Sequence, residues 1–299
     1  MGTDTPITRE LLRSMPLPQP DGDGDKEHRG RVLVVAGSVE VPGGALLAGI
    51  GALRAGAGKL QVATAASVAP HLGLALPEAL VAGLPETPDG GIAPDSAKRL
   101  TARATRCDAV LIGPGMMDEP AVAALTAALL TGLDGPSFVL DAAALAGLGR
   151  GTDGTPSPLH RHGGRIVLTP HAGEMAALLG CDRDQVLADP LDAARRAAAR
   201  LRAVVVLKGG RTRIVTPQGE AWTYRDGAVG LATSGSGDTL AGILTGLLAR
   251  GATPLQAAVW SVWLHGEAGN RLTRRHGPLG FLARELLAEI PAAMAELSG

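Results

Sequence analysis

Compact apolar runs and longer Ala/Leu-rich stretches alternate along this chain. Arg31 to Ala36 (RVLVVA) is apolar after its first residue. A strand buried on both faces has that pattern, whereas a half-solvated one alternates. Lys59 to Thr64 is a second strand candidate, and Asp108 to Ile112, Phe138 to Asp141, Ile166 to Thr169 and Val204 to Leu207 are compact apolar runs. Helical stretches lie between most of them: Gly43 to Ala57, helped by its alanines, Pro120 to Leu130, and Asp189 to Leu201. Continuous apolar strands separated by helices predict an α/β fold with a mostly parallel sheet covered on both faces. Arg213 to Tyr224 departs from the pattern and predicts an antiparallel hairpin turning at Pro217-Gln218-Gly219. Helices follow from Ser236 to Arg250, Pro254 to Thr273 and Phe281 to Leu297. No solenoid-length repeat is present.

Glycine or proline punctuates the strand ends, at Gly37, Gly113-Pro114-Gly115, Pro170 and Gly209-Gly210. Open parallel sheets bind ligands at the carboxyl ends of their strands, so a site is expected there. The stretch before the first strand, Pro16 to Gly30, is rich in Pro, Gly and charge. Residues 1–29 read as an N-terminal arm and 30–299 as one catalytic domain.

Composition narrows the class. Lys and Arg total 28 against 29 Asp and Glu, which argues against a nucleic-acid partner. No apolar run approaches the ~20 residues of a membrane span, and the N-terminus lacks a signal-peptide core, so no membrane partner is expected. Cys107 and Cys181 are far apart with no C-x-x-C spacing. They give neither a disulfide framework nor a metal site and fit a reducing, cytoplasmic location.

The most informative stretch is Ala232-Thr233-Ser234-Gly235-Ser236-Gly237-Asp238. A helix follows, with Leu240, Ile243, Leu244, Leu247 and Leu248 on one face. A glycine-rich loop opening a helix presents unpaired N–H groups at a positive dipole end, which suits phosphate. Asp238 in the first turn could accept a proton from a substrate hydroxyl as phosphoryl transfer begins. It or Ser236 could equally just cap the helix.

Gly235-Ser236-Gly237-Asp238 resembles the G-x-G-D signature of ribokinase-like kinases. Five segments together are similar to one branch, the ADP-dependent NAD(P)H-hydrate dehydratases: Gly30 to Lys59, Asp108 to Gly115 (DAVLIGPG), Leu168 to Glu174 (LTPHAGE), Val205 to Thr212 (VVLKGGRT) and Gly230 to Leu244. The epimerase domain sometimes fused to that family has no counterpart in these residues. The resemblance implies a ribokinase-like three-layer α/β/α sandwich. It implies transfer of phosphate from ADP to a hydroxyl of hydrated NADH or NADPH, then loss of phosphate to regenerate the dinucleotide, with AMP released. Asp238 would be the base, and Gly235, Ser236 and Gly237 the anion hole. Lys208, Gly209, Gly210, Arg211 and Thr212 would hold the adenine nucleotide. Gly44, Gly115 and His171 would line the hydrate's site beside Asp238. Mg²⁺ would bridge phosphates, with Glu174 orienting a water on it. A homo-oligomer, a tetramer by resemblance, is implied.

Each of these residues also has a plainer reading. Lys208 could be a solvated strand-end lysine, His171 a cap, Glu174 a partner for the helix dipole, and Gly113 to Gly115 a turn. His265, mid-helix between the tryptophans Trp260 and Trp263 on one side and Gly266 on the other, reads as core packing or helix contact. Where the family has D-A-D-A-L, this chain has Asp141-Ala142-Ala143-Ala144-Leu145, so Ala143 replaces a carboxylate. Ala228 and Ser234 replace an Asn and a Gly before the signature. An ATP-dependent kinase of a small alcohol is therefore the alternative, and a non-catalytic nucleotide-binding protein a third.

Overall fold

A computed structural model describes residues 4–19, 29–148 and 157–297. Its strands are β1 (Asp4–Pro6), β2 (Arg31–Val35), β3 (Lys59–Ala65), β4 (Ala79–Leu84), β5 (Ala109–Ile112), β6 (Ser137–Leu140), β7 (Ile166–Leu168), β8 (Val204–Leu207), β9 (Thr212–Val215) and β10 (Ala221–Tyr224). They form one sheet in the order β1-β10-β9-β8-β7-β6-β5-β2-β3-β4. Neighbours are parallel except β8–β9 and β9–β10. The hairpin turns where the sequence predicts. Gly219 takes a φ of +87° and donates its N–H to the Thr216 carbonyl at 2.9 Å.

Helices cover both faces. On one lie α1 (Arg9–Ser14), α2 (Gly43–Arg54), α3 (Ala69–Ala75), α9 (Ser236–Ala249), α10 (Pro254–His276) and α11 (Ala283–Ala295). On the other lie α4 (Ala97–Ala104), α5 (Glu119–Gly132), α6 (Ala172–Leu179), α7 (Arg183–Ala188) and α8 (Pro190–Leu201). In β2, Val32 and Val34 enter the first core while Leu33 and Val35 enter the second. That is why the run shows no polar alternation.

The sequence reading gives no element before Arg31 and none over Ala79–Leu84; the structure has three. Part of the expected arm is docked. β1 pairs with β10, Thr5 opposite Trp222. Thr8 caps α1, Leu12 and Leu17 are buried, and Trp260 donates its indole N–H to the Met15 carbonyl at 2.8 Å. Residues 20–28 of that arm lie outside the described ones. β4 (ALVAGL) forms the sheet edge and is only half-buried. Its Ala and Gly content gave it a weak strand signal.

The chain leaves β2 to pair β3 on one side and later returns to place β5 on the other. This reversal opens a crevice at the carboxyl ends of β2 and β5. Helices α2 and α9 pack beside it with backbones almost touching. A methyl added at Gly242 would overlap the Ala48 carbonyl, and one at Gly246 the Ala52 carbonyl. Gly242→Ala should therefore cost about 2 kcal/mol or more, as overpacking does. Gly43→Ala, at the exposed start of α2 with no atom within 4 Å of the added methyl, should be neutral or slightly stabilising. Urea denaturation of both variants checks this.

Candidate active site

Five segments converge at the strand ends. β2 leads to Gly37, whose N–H donates to the Pro114 carbonyl at 2.7 Å. β5 leads to Gly113–Gly115, β6 to Asp141, β7 to Pro170 and His171, and β8 to Lys208. Gly44, in the first turn of α2, sits against Gly115. A Cβ at Gly44 would stand 2.7 Å from the Gly115 nitrogen. The two expected substrate residues are thus brought together, and only glycine allows that approach.

Lys208 occupies the centre. Its Nζ donates to Asp141 Oδ1 at 2.7 Å and lies 3.9 Å from Glu174 Oε2. Asp141 is almost fully buried, and Thr169 Oγ1 donates to the same oxygen at 2.7 Å. Burial alone would pull the Lys208 ammonium down. The charges of Asp141, Glu174 and Asp238 outweigh it, so the pKa is raised and the group stays charged. With four-fifths of its side chain buried and its ammonium on Asp141, Lys208 is not the solvated strand-end lysine of the plainer reading. The ammonium also reaches the signature loop: a Cβ at Gly237 would lie 3.3 Å from Nζ.

The loop itself is open to an anion. Gly235 is the N-cap of α9 at φ +85° and no side chain caps the helix. The capping reading of Ser236 and Asp238 fails, since the Ser236 hydroxyl instead meets His265 Nε2 at 2.8 Å. The Ser236 amide is engaged by the Thr233 carbonyl at 3.2 Å, whereas no carbonyl accepts from Gly237 or Asp238. Those two N–H groups point out of the helix at its positive end. The Asp238 carboxyl is pushed up to about 6, first by burial and then by the charge of Asp141, with Lys208 opposing. A carboxylate near 6 is a far better base than an ordinary aspartate and is still ionised at neutral pH.

His171 and Glu174 serve α6. His171 Nδ1 accepts from the amides of Gly173 and Glu174 at 3.0 and 3.1 Å, and Glu174 Oε2 accepts from the His171 amide at 2.7 Å. This reciprocal cap fixes the turn beside Lys208, whose own N–H donates to the Pro170 carbonyl at 2.8 Å. The His171 ring remains largely exposed and able to meet a ligand. Gly209, Gly210 and Arg211 are exposed, and the Thr212 hydroxyl donates to the Gly209 carbonyl at 3.4 Å. Beside this turn lies a cavity of about 460 Å³, lined in part by Leu187, Leu207, Lys208 and Arg211. Two further cavities lie elsewhere, one among the ion pairs of α10 and α11 and one at the opposite ends of β2 and β3.

No group of three His, Cys, Asp or Glu side chains among the described residues is placed to hold a metal. Magnesium is commonly held by one or two carboxylates together with substrate phosphates and water. The Glu174 carboxylate, 3.9 Å from the Lys208 ammonium, fits that mode.

A family model described as NAD(P)H-hydrate dehydratase matches residues 32–292. The chain belongs to the NAD(P)H-hydrate dehydratase family. It is 49% identical over 293 residues to the ADP-dependent (S)-NAD(P)H-hydrate dehydratase of Xanthomonas campestris, covering 97% of this chain and 96% of that one. The enzyme of that name from Bacillus subtilis is 35% identical, with 95% of each chain covered. A crystal structure of the Bacillus subtilis ADP/ATP-dependent NAD(P)H-hydrate dehydratase, co-crystallised with ATP and Mg²⁺, superposes with a TM-score of 0.83 at 33% identity, covering 99% of both chains. The ribokinase-like, mostly parallel fold expected from the sequence is the fold observed. No helix among the described residues is long and apolar enough to cross a membrane.

Within this dehydratase-family site, sequence reasoning passed over Asp141 as a functional group and took His265 as packing. Nothing local marks either residue, because their partners lie far along the chain. The ion pair yields a stability test. Lys208→Met leaves Asp141 buried without its cation and should cost about 3 kcal/mol. Adding Asp141→Asn, which keeps the Thr169 contact without the charge, should recover most of that loss. Equal urea midpoints for the single and double variants would show that Asp141 does not depend on Lys208.

Proposed function

We propose that this protein is an ADP-dependent (S)-NAD(P)H-hydrate dehydratase. The observation that carries the reading is one juxtaposition. Asp238 stands beside two unfilled amides at the start of α9, with the Lys208 ammonium over the same loop. A base, an anion hole and a cation within one crevice suit attack of a hydroxyl on a phosphoryl group.

In this reading the Lys208–Thr212 turn holds ADP. Its β-phosphate sits on the Gly237 and Asp238 amides at the Gly235–Gly237 loop, with the ammonium of Lys208 against it. Gly44, Gly115 and His171 line the hydrate. The Asp238 carboxylate takes the proton of the hydrate's hydroxyl as that oxygen bonds to the β-phosphorus, and AMP leaves. The phosphate ester then leaves carbon with its electron pair, a proton is lost from the adjacent carbon, and the double bond of the reduced nicotinamide ring is restored. Magnesium, brought on the nucleotide and met by Glu174 through water, would neutralise the phosphate charge.

The free thiols of Cys107 and Cys181 support a reducing, cytoplasmic location. Val229, Leu279 and Leu282 are exposed around the packing of Gly230 on Phe281, which supports a homo-oligomer.

The direct test supplies hydrated NADH, ADP and magnesium. The absorbance of NADH should rise, with AMP and phosphate released in equal amounts. An inert ADP, with ATP instead phosphorylating a small alcohol, would replace this reading by the kinase. Two further outcomes test the base. kcat/KM should be level above pH ~6 and fall about tenfold per unit below it, because Asp238 must be ionised to act. Asp238→Asn should lower kcat by about 10² to 10⁴ while ADP affinity, read by calorimetry, is kept.

A further inference from the structure

Ser236 is the first residue of α9, and its side chain is buried. A serine hydroxyl in the first turn of a helix can turn onto a nearby backbone N–H unless another partner holds it. Here that would fill one of the donors the site needs. It does not happen, because the hydroxyl is held outward on His265 Nε2 at 2.8 Å. His265 is fixed in turn by its place in the middle of α10, between Leu264 and Gly266. Gly266 packs directly against the Tyr224 ring, so close that a methyl there would overlap it. Burial pushes the imidazole down to about 4, a hydrogen bond with the Ser236 backbone opposes this, and the Lys208 charge adds to the depression. The ring is neutral at working pH and brings no second positive charge to the loop.

We propose that His265 is a positioning residue for phosphoryl transfer, which anchors the Ser236 hydroxyl away from the first turn of α9 and so keeps the Gly237 and Asp238 amides available to the phosphate. It touches no reacting atom and acts through Ser236 alone. The inference rests on the dehydratase reading for the identity of the reaction, but only on the anion site for its own test.

The test compares His265→Leu, which fills the space without a polar atom, with His265→Gln, whose amide can reach the Nε2 position. ADP with magnesium and inorganic phosphate are titrated by calorimetry, and kcat and KM for ADP are measured alongside melting temperature. His265→Leu should weaken ADP and phosphate binding and raise KM for ADP by about five- to tenfold, the weight of one hydrogen bond. His265→Gln should restore both to within about twofold. Ser236→Ala should remove the effect: with no hydroxyl to fold back, His265→Leu in that background should cost no further affinity. Wild-type ADP and phosphate affinity in His265→Leu would overturn the proposal. So would equal losses in the Leu and Gln variants that follow melting temperature alone. If the wild type binds ADP but does not regenerate NADH, the dehydratase reading fails and the affinity comparison still decides the role of His265. If the wild type binds neither ADP nor phosphate, the anion site and this proposal fall together.

Discussion

An ammonium group drawn out of water must be paired, and so must a carboxylate. Lys208 and Asp141 meet this demand at the ends of β8 and β6, 2.7 Å apart. The rest of the site is built to hold them so. Thr169 on the neighbouring strand end steadies the carboxylate oxygen. The backbone at Asp141 is pinned from the other side, because Gly113 at φ +126° runs so close that any side chain there would strike the Asp141 carbonyl. Ala142, the next residue, is bent to φ +48°. Such a conformation costs a non-glycine residue about 1 kcal/mol or more and persists only where its surroundings hold it. The same pair acts on Asp238 in opposite senses. Asp141 raises its pKa and Lys208 lowers it, and with burial the balance rests near 6.

The open start of α9 depends equally on what lies behind it. A helix start can receive phosphate only if its axis is aimed and its first turn is bare. The near-contact of α9 with α2 supplies the aim through Gly242 and Gly246, where backbone replaces side chain at the interface. Gly235 supplies the bare turn, since its left-handed φ directs the chain into the helix without a capping side chain. The small residues of Ser236–Ala249 thus serve two ends of one helix, packing along its length and access at its start.

The fold was legible wherever a signal lay within one element. Buried strands announce themselves as unbroken apolar runs, and the hairpin by its Pro-Gln-Gly turn. The loop before α9 showed itself by glycines immediately ahead of an amphipathic stretch. What escaped depends on partners distant in sequence. β1 is three residues long and is a strand only because β10 offers it an edge. β4 is a strand because β3 does. Asp141 and Lys208 are separated by 67 positions and Ser236 and His265 by 29, so no spacing rule links them. The cap formed by His171 and Glu174 is the reverse case. At three residues apart it was readable as local chemistry, and the structure bears that reading out while leaving the histidine ring open to solvent.

The departures from the family pattern can now be weighed by position. Ala143 stands where a carboxylate was expected, two residues after Asp141. Its side chain is partly buried against the apolar core that α5 and α6 also enter. The residues that touch the Lys208 ammonium, Asp141 and Glu174, are both present. Ala228 precedes the short turn Val229–Leu231, on the approach to the signature loop and outside it. Ser234 lies next to Gly235 but is exposed, and the left-handed backbone needed at the helix start belongs to Gly235. None of the three positions is Lys208, Asp141, Glu174 or one of the two first-turn residues of α9 whose amides no carbonyl engages. The central ion pair and the open start of α9 are thus complete in this chain, and the departures lie in the segments that lead to them.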